Sequence, residues 1–139
     1  MNILFDASAL FKRYSGEVGA KRVLQLQMAA SQITAAAHCK AEIASALTRQ
    51  WRDGLFPTEE YDRMLAEMQK DFADLMVLPL TPKVERNALA AMRLADVGGT
   101  DALHIGTAQA AGVDLFVSAN QLQIQAAQVV GLKTEWIGG

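Results

Sequence analysis

Apolar residues fall along this chain in two rhythms: short unbroken runs, and longer stretches where they recur every three or four positions. Runs of the first kind mark buried strands, and the second kind marks helices with one face on a core. Ile3-Leu4-Phe5 predicts a first strand, with helices over residues 8–14 and 18–29 behind it. Residues 31–35 predict a second strand. From His38 to Arg52, the apolar positions Ile43, Leu47 and Trp51 recur four apart, a helical stripe that Gly54 is placed to stop. Pro57 opens a further helix through Phe72, with Tyr61, Leu65 and Met68 on one side.

The second half repeats the alternation. Residues 75–80 form a continuous apolar run ending among Pro79 and Pro82, which predicts a buried strand. Pro82 suits the first turn of a helix over residues 82–94, and Gly98-Gly99 breaks the chain before another over 100–111 that stops at Gly112. A strand over 114–117, a helix over 119–130 closed by Gly131 and a last strand over 133–137 complete the pattern. Strands separated by helices predict an α/β fold: a three-layer sandwich with a mainly parallel central sheet flanked by helices. The 24 alanines agree, since small side chains let helices lie close to a sheet. No linker, repeat or low-complexity tract interrupts residues 1–139, so one domain is expected.

In open sheets of this kind ligands bind beyond the carboxyl ends of the strands. Asp6 follows the first strand directly, and Ser118, Ala119 and Asn120 follow the fourth. Asp114 opens that fourth strand and so belongs about 13 Å away, at the other edge. Asp6 carries the most information, because a carboxylate ending an apolar strand is expensive to bury without a cation or several donors. It serves equally well as an N-cap for the helix near Ser8. Glu42, beside the Ile43/Leu47 stripe, is by itself an ordinary solvated acid, and helix dipoles or capping suffice for Asp101 and Asn120.

Composition narrows the classes. With 51% apolar residues and 20% charged, the chain has material for a core and is not disordered. No apolar stretch approaches the eighteen or so residues of a membrane span. The N-terminus lacks a basic leader, and a single cysteine, Cys39, allows no intramolecular disulfide, so a cytoplasmic protein is expected. The net charge of −2 argues against a polyanionic partner until the chain is divided. Residues 1–52 hold seven basic residues against three acids, and residues 53–139 hold six against twelve. The N-terminal part can therefore present a basic surface, with Lys12, Arg13, Arg49 and Arg52 as phosphate contacts.

Four segments together carry a resemblance. Asn2-Ile3-Leu4-Phe5-Asp6-Ala7-Ser8-Ala9-Leu10, Ala41-Glu42-Ile43-Ala44-Ser45-Ala46-Leu47, Thr100-Asp101-Ala102-Leu103-His104-Ile105-Gly106-Thr107-Ala108 and Leu115-Phe116-Val117-Ser118-Ala119-Asn120 stand in this order. The chain resembles, over nearly its whole length, the PIN-domain ribonucleases, above all their short bacterial toxins of the VapC type.

That resemblance implies metal-binding carboxylates at Asp6, Glu42 and Asp101, with Ser8 and Asn120 as supporting or water-bridged groups. It implies a Mg²⁺- or Mn²⁺-dependent endoribonuclease that hydrolyses RNA phosphodiester bonds with a metal-activated water. It further implies a cognate antitoxin and a homodimer, with contacts sought around residues 23–28 and 61–68. The family carries a fourth acid where this chain has Asn120, which lowers the charge of the cluster from −4 to −3 and weakens a second ion. Asp96 is a nearby substitute. The same departure permits an alternative, a catalytically degenerate PIN fold that binds RNA or protein without cutting. A phosphoacceptor receiver domain is disfavoured, because it wants an acidic pair near the N-terminus and only Asp6 is there. His38, Cys39 and His104 lack the paired spacing of a zinc site and read as a core cysteine with two ordinary histidines.

Overall fold

The computed structural model describes residues 1–138. Strands β1 (Asn2–Phe5), β2 (Gln32–Ala36), β3 (Met76–Leu78), β4 (Leu115–Ser118) and β5 (Thr134–Trp136) form one sheet in the order β3-β2-β1-β4-β5. All four pairings are parallel. Helices α1 (Ala7–Ser15), α2 (Ala20–Ala29), α3 (Cys39–Arg52), α4 (Thr58–Phe72), α5 (Pro82–Leu94), α6 (Gly99–Ala111) and α7 (Gln121–Val129) supply the crossovers that parallel strands require.

Side chains of a strand alternate between faces, and the two central strands use both. Ile3 and Phe5 of β1, with Val117 of β4, enter a core with Leu10, Val23, Ile43, Leu47, Met64 and Met68 from α1 to α4. Leu4 and Phe116, one position out of phase, enter a second core with Ile105, Ala108 and Ile124. The result is the expected three-layer sandwich.

The expected buried strand at residues 75–80 needs correction. It is the three-residue edge strand β3, with Met76 and Val77 50% and 41% exposed. An apolar run reports strand propensity, whereas burial depends on whether another strand pairs beyond it. Met64 and Met68 of α4 pack inside the chain's own core, and of the other helical segment expected to offer contact surface, on α2, Leu24 and Met28 are exposed while Val23 and Leu26 are buried.

Local chemistry accounts for the helix ends nearest the functional edge. Asp6, Thr81 and Asn120 each accept hydrogen bonds from backbone N–H groups of the first turn they precede. Gly106 lets α5 and α6 touch, because a Cβ there would lie 2.5 Å from the Val84 carbonyl oxygen. Asn87 closes the same contact by donating to the Gly106 carbonyl at 3.1 Å.

Candidate metal centre

The parallel register of β1 on β4 pairs Phe5 with Val117, so the residues that follow them, Asp6 and Ser118, meet at one edge of the sheet. The carboxylate of Asp6 is only 2% exposed. Its Oδ1 accepts from the Ala9 N–H at 2.9 Å, the Ser8 hydroxyl donates at 2.8 Å, and the Ser118 hydroxyl donates to Oδ2 at 2.7 Å. Both hydroxyls are aimed by the backbone. Ser8 Oγ accepts from the Ala119 N–H at 3.0 Å and Ser118 Oγ from the Asn120 N–H at 3.0 Å, which turns their protons toward Asp6. Burial nevertheless pushes the Asp6 carboxyl above the usual range, against the lowering effects of His104 and these donors.

Glu42 reaches the same edge from the first turn of α3. Its Oε1 accepts from His104 Nε2 at 2.6 Å and lies 3.3 Å from His38 Nε2. Burial works to raise its pKa, but the hydrogen bond from His104 and the proximity of both histidines outweigh it and hold the group low. Asp101, in the first turn of α6, is raised by burial and by Glu42, while His104 opposes the shift. Of the three acids, Glu42 alone touches His104, which is 1% exposed, while the charge of His104 acts on Asp6 and Asp101 without a hydrogen bond to either.

The two histidines are not ordinary. His38, half-buried at the start of α3, holds the Thr100 carbonyl at 2.8 Å and so ties α3 to the turn that carries Asp101. Its ring lies 4.3 Å from that of His104. His38, Glu42 and His104 offer ligand atoms within 4.8 Å of one another, whereas the buried Cys39 belongs to the core beneath. Burial, then His104, pushes the His38 pKa down. Sequence reasoning missed this group because its members come from helices 62 residues apart; the His38/Glu42 spacing of four was its only visible sign. It also missed Gln123, 1% exposed, whose amide donates to the Asp101 carbonyl at 3.1 Å.

Asn120 Oδ1 accepts from Leu122 N–H and Gln123 N–H at 3.0 and 3.3 Å, so its oxygen is engaged in capping α7. Asp114 accepts from the Asn2 N–H at the opposite edge of the sheet, as expected, and Asp96 stands exposed between α5 and α6. A cleft of about 360 Å³ opens beside Glu42, lined also by Ser8, Phe11, Lys12 and Glu17. Lys12 is at this cleft, its ammonium on the Val18 carbonyl at 2.9 Å. Arg13 is not, and the expectation that it contacts phosphate is corrected: it pairs with Asp71 of α4 at 2.9 Å. Arg49 and Arg52 are exposed toward the far end of α3, Arg49 roughly 10 Å along the axis from Glu42.

Asp6, Glu42 and Asp101 are hard oxygen donors of the kind that suit Mg²⁺ or Mn²⁺, two of them with pKa values raised by burial, although the ligand atoms found within 4.8 Å of one another are those of His38, Glu42 and His104. A carboxylate pushed upward by burial gains most when a cation neutralises it.

Residues 3–128 match the PIN domain family, and the chain belongs to it. Among solved structures it is similar to FitAcB from Neisseria gonorrhoeae, with TM-score 0.74 and 13% identity over 97% of each chain. It is also similar to VapC20 from Mycobacterium tuberculosis, a toxin that cleaves the sarcin-ricin loop, with TM-score 0.70 and 14% identity over 89% of this chain and 94% of that one. VapBC2 from Rickettsia felis, in a complex bound to a DNA fragment from its promoter, has TM-score 0.71 and 12% identity over 100% and 99%. No curated protein sequence matches the chain significantly. Among the described residues no helix is long and apolar enough to cross a membrane.

Proposed function

We propose that this chain is a Mg²⁺- or Mn²⁺-dependent endoribonuclease of the VapC type, acting as a toxin in the cytoplasm and restrained by a cognate antitoxin. The observation that carries the reading is a PIN-domain chain in which buried Asp6 ends β1 while Glu42 and Asp101 occupy the first turns of α3 and α6, which the His38–Thr100 hydrogen bond ties together. The toxin–antitoxin composition of similar structures supports the partner, and a homodimer is part of the same proposal.

Asp6, Glu42 and Asp101 would hold the ion. When bound, it supplies Lewis-acid polarisation of a phosphoryl oxygen and makes water acidic enough to attack near neutral pH. The chain's own groups do the positioning. Ser8 and Ser118 fix the plane of the buried Asp6 carboxylate. His104 Nε2–H holds Glu42 at the mouth, and Gln123 anchors the turn that bears Asp101. Lys12 at the cleft, 3.9 Å from the Glu17 carboxylate, is the cation nearest to hand for the RNA backbone.

The test is cleavage of a panel of RNAs by purified chain, freed of any partner, with Mg²⁺ or Mn²⁺. Cutting that disappears in Asp101→Asn is the expected result; intact RNA throughout, or full activity in Asp6→Asn and Asp101→Asn, overturns the reading. A degenerate, non-cutting PIN module is the second reading, favoured by the amide at position 120 and its engagement as a helix cap. It predicts no binding of Mn²⁺ in the micromolar range.

A further inference from the structure

His38 and Glu42 stand one turn apart on α3, and His104 of α6 faces them, so two imidazoles and one carboxylate converge within 4.8 Å. This donor set differs in kind from the acids around it. Magnesium takes oxygen ligands and dehydrates reluctantly, whereas imidazole suits zinc and its neighbours, and two histidines with one glutamate form a known zinc ligand set with an open fourth position. We propose that His38, Glu42 and His104 form a second cation site that prefers a borderline transition ion such as Zn²⁺, and that its occupation removes Glu42 from the carboxylate site. The second half rests on the function proposed above; the first does not.

The geometry is close to what zinc needs. Ligand atoms about 2.0–2.1 Å from a tetrahedral ion lie roughly 3.4 Å from one another. Glu42 Oε1 is already 3.3 Å from His38 Nε2, and its 2.6 Å contact with His104 Nε2 must open by less than an ångström. Glu42 and His38 side chains are 32% and 24% exposed, which gives the ion an entry path and Glu42 room to move. Cys39, next in sequence, does not join: it is wholly buried, and burial holds its thiol well above its ordinary pKa.

The same structure bounds the affinity. To coordinate through Nε2, His104 must move its ring proton to Nδ1, which is buried and has no hydrogen-bond partner. His38 must exchange its bond to the Thr100 carbonyl for the ion. Zinc histidines ordinarily donate their second nitrogen to an acceptor, and losing such support costs about 10–100-fold in affinity. A reversible site is therefore expected, weaker than a structural zinc site by about that factor. Reversibility suits a site that turns another one off.

Calorimetric titration of the intact chain with ZnCl₂ alone and with MnCl₂ alone tests this without any activity measurement. The expected result is one Zn²⁺ per chain, weakened at least tenfold in His38→Ala and in the more conservative His38→Gln, a larger loss than either variant causes for Mn²⁺. Asp101→Asn should do the reverse, weakening Mn²⁺ and sparing Zn²⁺, and saturating zinc should abolish the Mn²⁺ isotherm. Thermal melts of the His38 variants, within a few degrees of the parent chain, establish that the loss is local. Zinc binding that is absent, or insensitive to both His38 variants, overturns the proposal. Zinc that follows His38 in a chain that binds no Mn²⁺ upholds the zinc site and removes the nuclease reading instead.

Discussion

Replacing Asp6 by Asn should make the protein more stable while removing the proposed ion. The amide is isosteric with the carboxylate, and the partners can adapt to it. Oδ1 keeps the Ala9 N–H, and Nδ2 donates to Ser118 Oγ, whose own proton can turn to Gln123 Oε1 at 3.4 Å. No hydrogen bond need be lost outright, but three charge-assisted bonds become neutral, at about 1 kcal/mol each. Against this stands relief from burying a charge that is 2% exposed, several kcal/mol per ion. The raised pKa of Asp6 says which side wins: the folded environment as a whole disfavours the ionised form. A net gain of about 2 kcal/mol follows, or roughly 5 °C in Tm for a chain of this size.

Thermal unfolding followed by circular dichroism with divalent ions chelated is the assay. Because the folded pKa lies above the unfolded one, the penalty is absent below about pH 4, where Asp6 is protonated in both states. It grows as pH rises through the folded pKa, so the gap between variant and parent should be widest near pH 7.5 and close toward pH 4. Manganese should narrow or reverse the order, adding about 2.7 kcal/mol to the parent at 100 times its Kd and nothing to the variant. An Asn variant less stable than its parent at pH 7.5, or a gap independent of pH, would refute the reasoning.

Other perturbations follow from the same contacts. Gly106→Ala places a methyl 2.5 Å from the Val84 carbonyl oxygen and should cost about 1–3 kcal/mol, read as a lower urea midpoint. Asp71→Asn weakens the pair with Arg13 and the acceptor of the Tyr14 hydroxyl at 2.8 Å, for a loss of about 1–3 kcal/mol. Burial, aided by Asp71, holds the Tyr14 phenol well above its ordinary pKa, so an ultraviolet absorbance titration of that variant should show it ionising at lower pH. Asn120→Asp keeps the α7 cap, since Asp and Asn cap equally well, and should tighten Mn²⁺ in calorimetry; an unchanged isotherm leaves residue 120 a cap alone.

Much of this architecture is local and therefore written in the chain. The unbroken apolar run Ile3, Leu4 and Phe5, whose side chains point alternately to either side of a strand, already dictates a strand buried on both faces. Asp6 and Asn120 precede helices whose first-turn N–H groups need acceptors, and Pro82, Gly112 and Gly131 mark ends by their backbone preferences. The four ordered segments and the tendency of parallel sheets to gather function at one edge are what single out the candidate acids in the sequence.

What no window of sequence contains is which elements become neighbours. That β3 lies at the edge, and so leaves Met76 and Val77 half exposed, depends on the strand order. Arg13 reads as a basic residue free for phosphate until α4 brings Asp71 to it. Glu42 reads as a solvated acid until α6 packs alongside and sets His104 against its oxygen. The sequence by itself determined most of the elements, their order along the chain and the acid that ends the first strand, because these follow from periodicity and nearest-neighbour hydrogen bonding. Tertiary structure alone decided how those acids are charged and held, because desolvation and electrostatic pairing depend on groups that only the packed fold brings within reach.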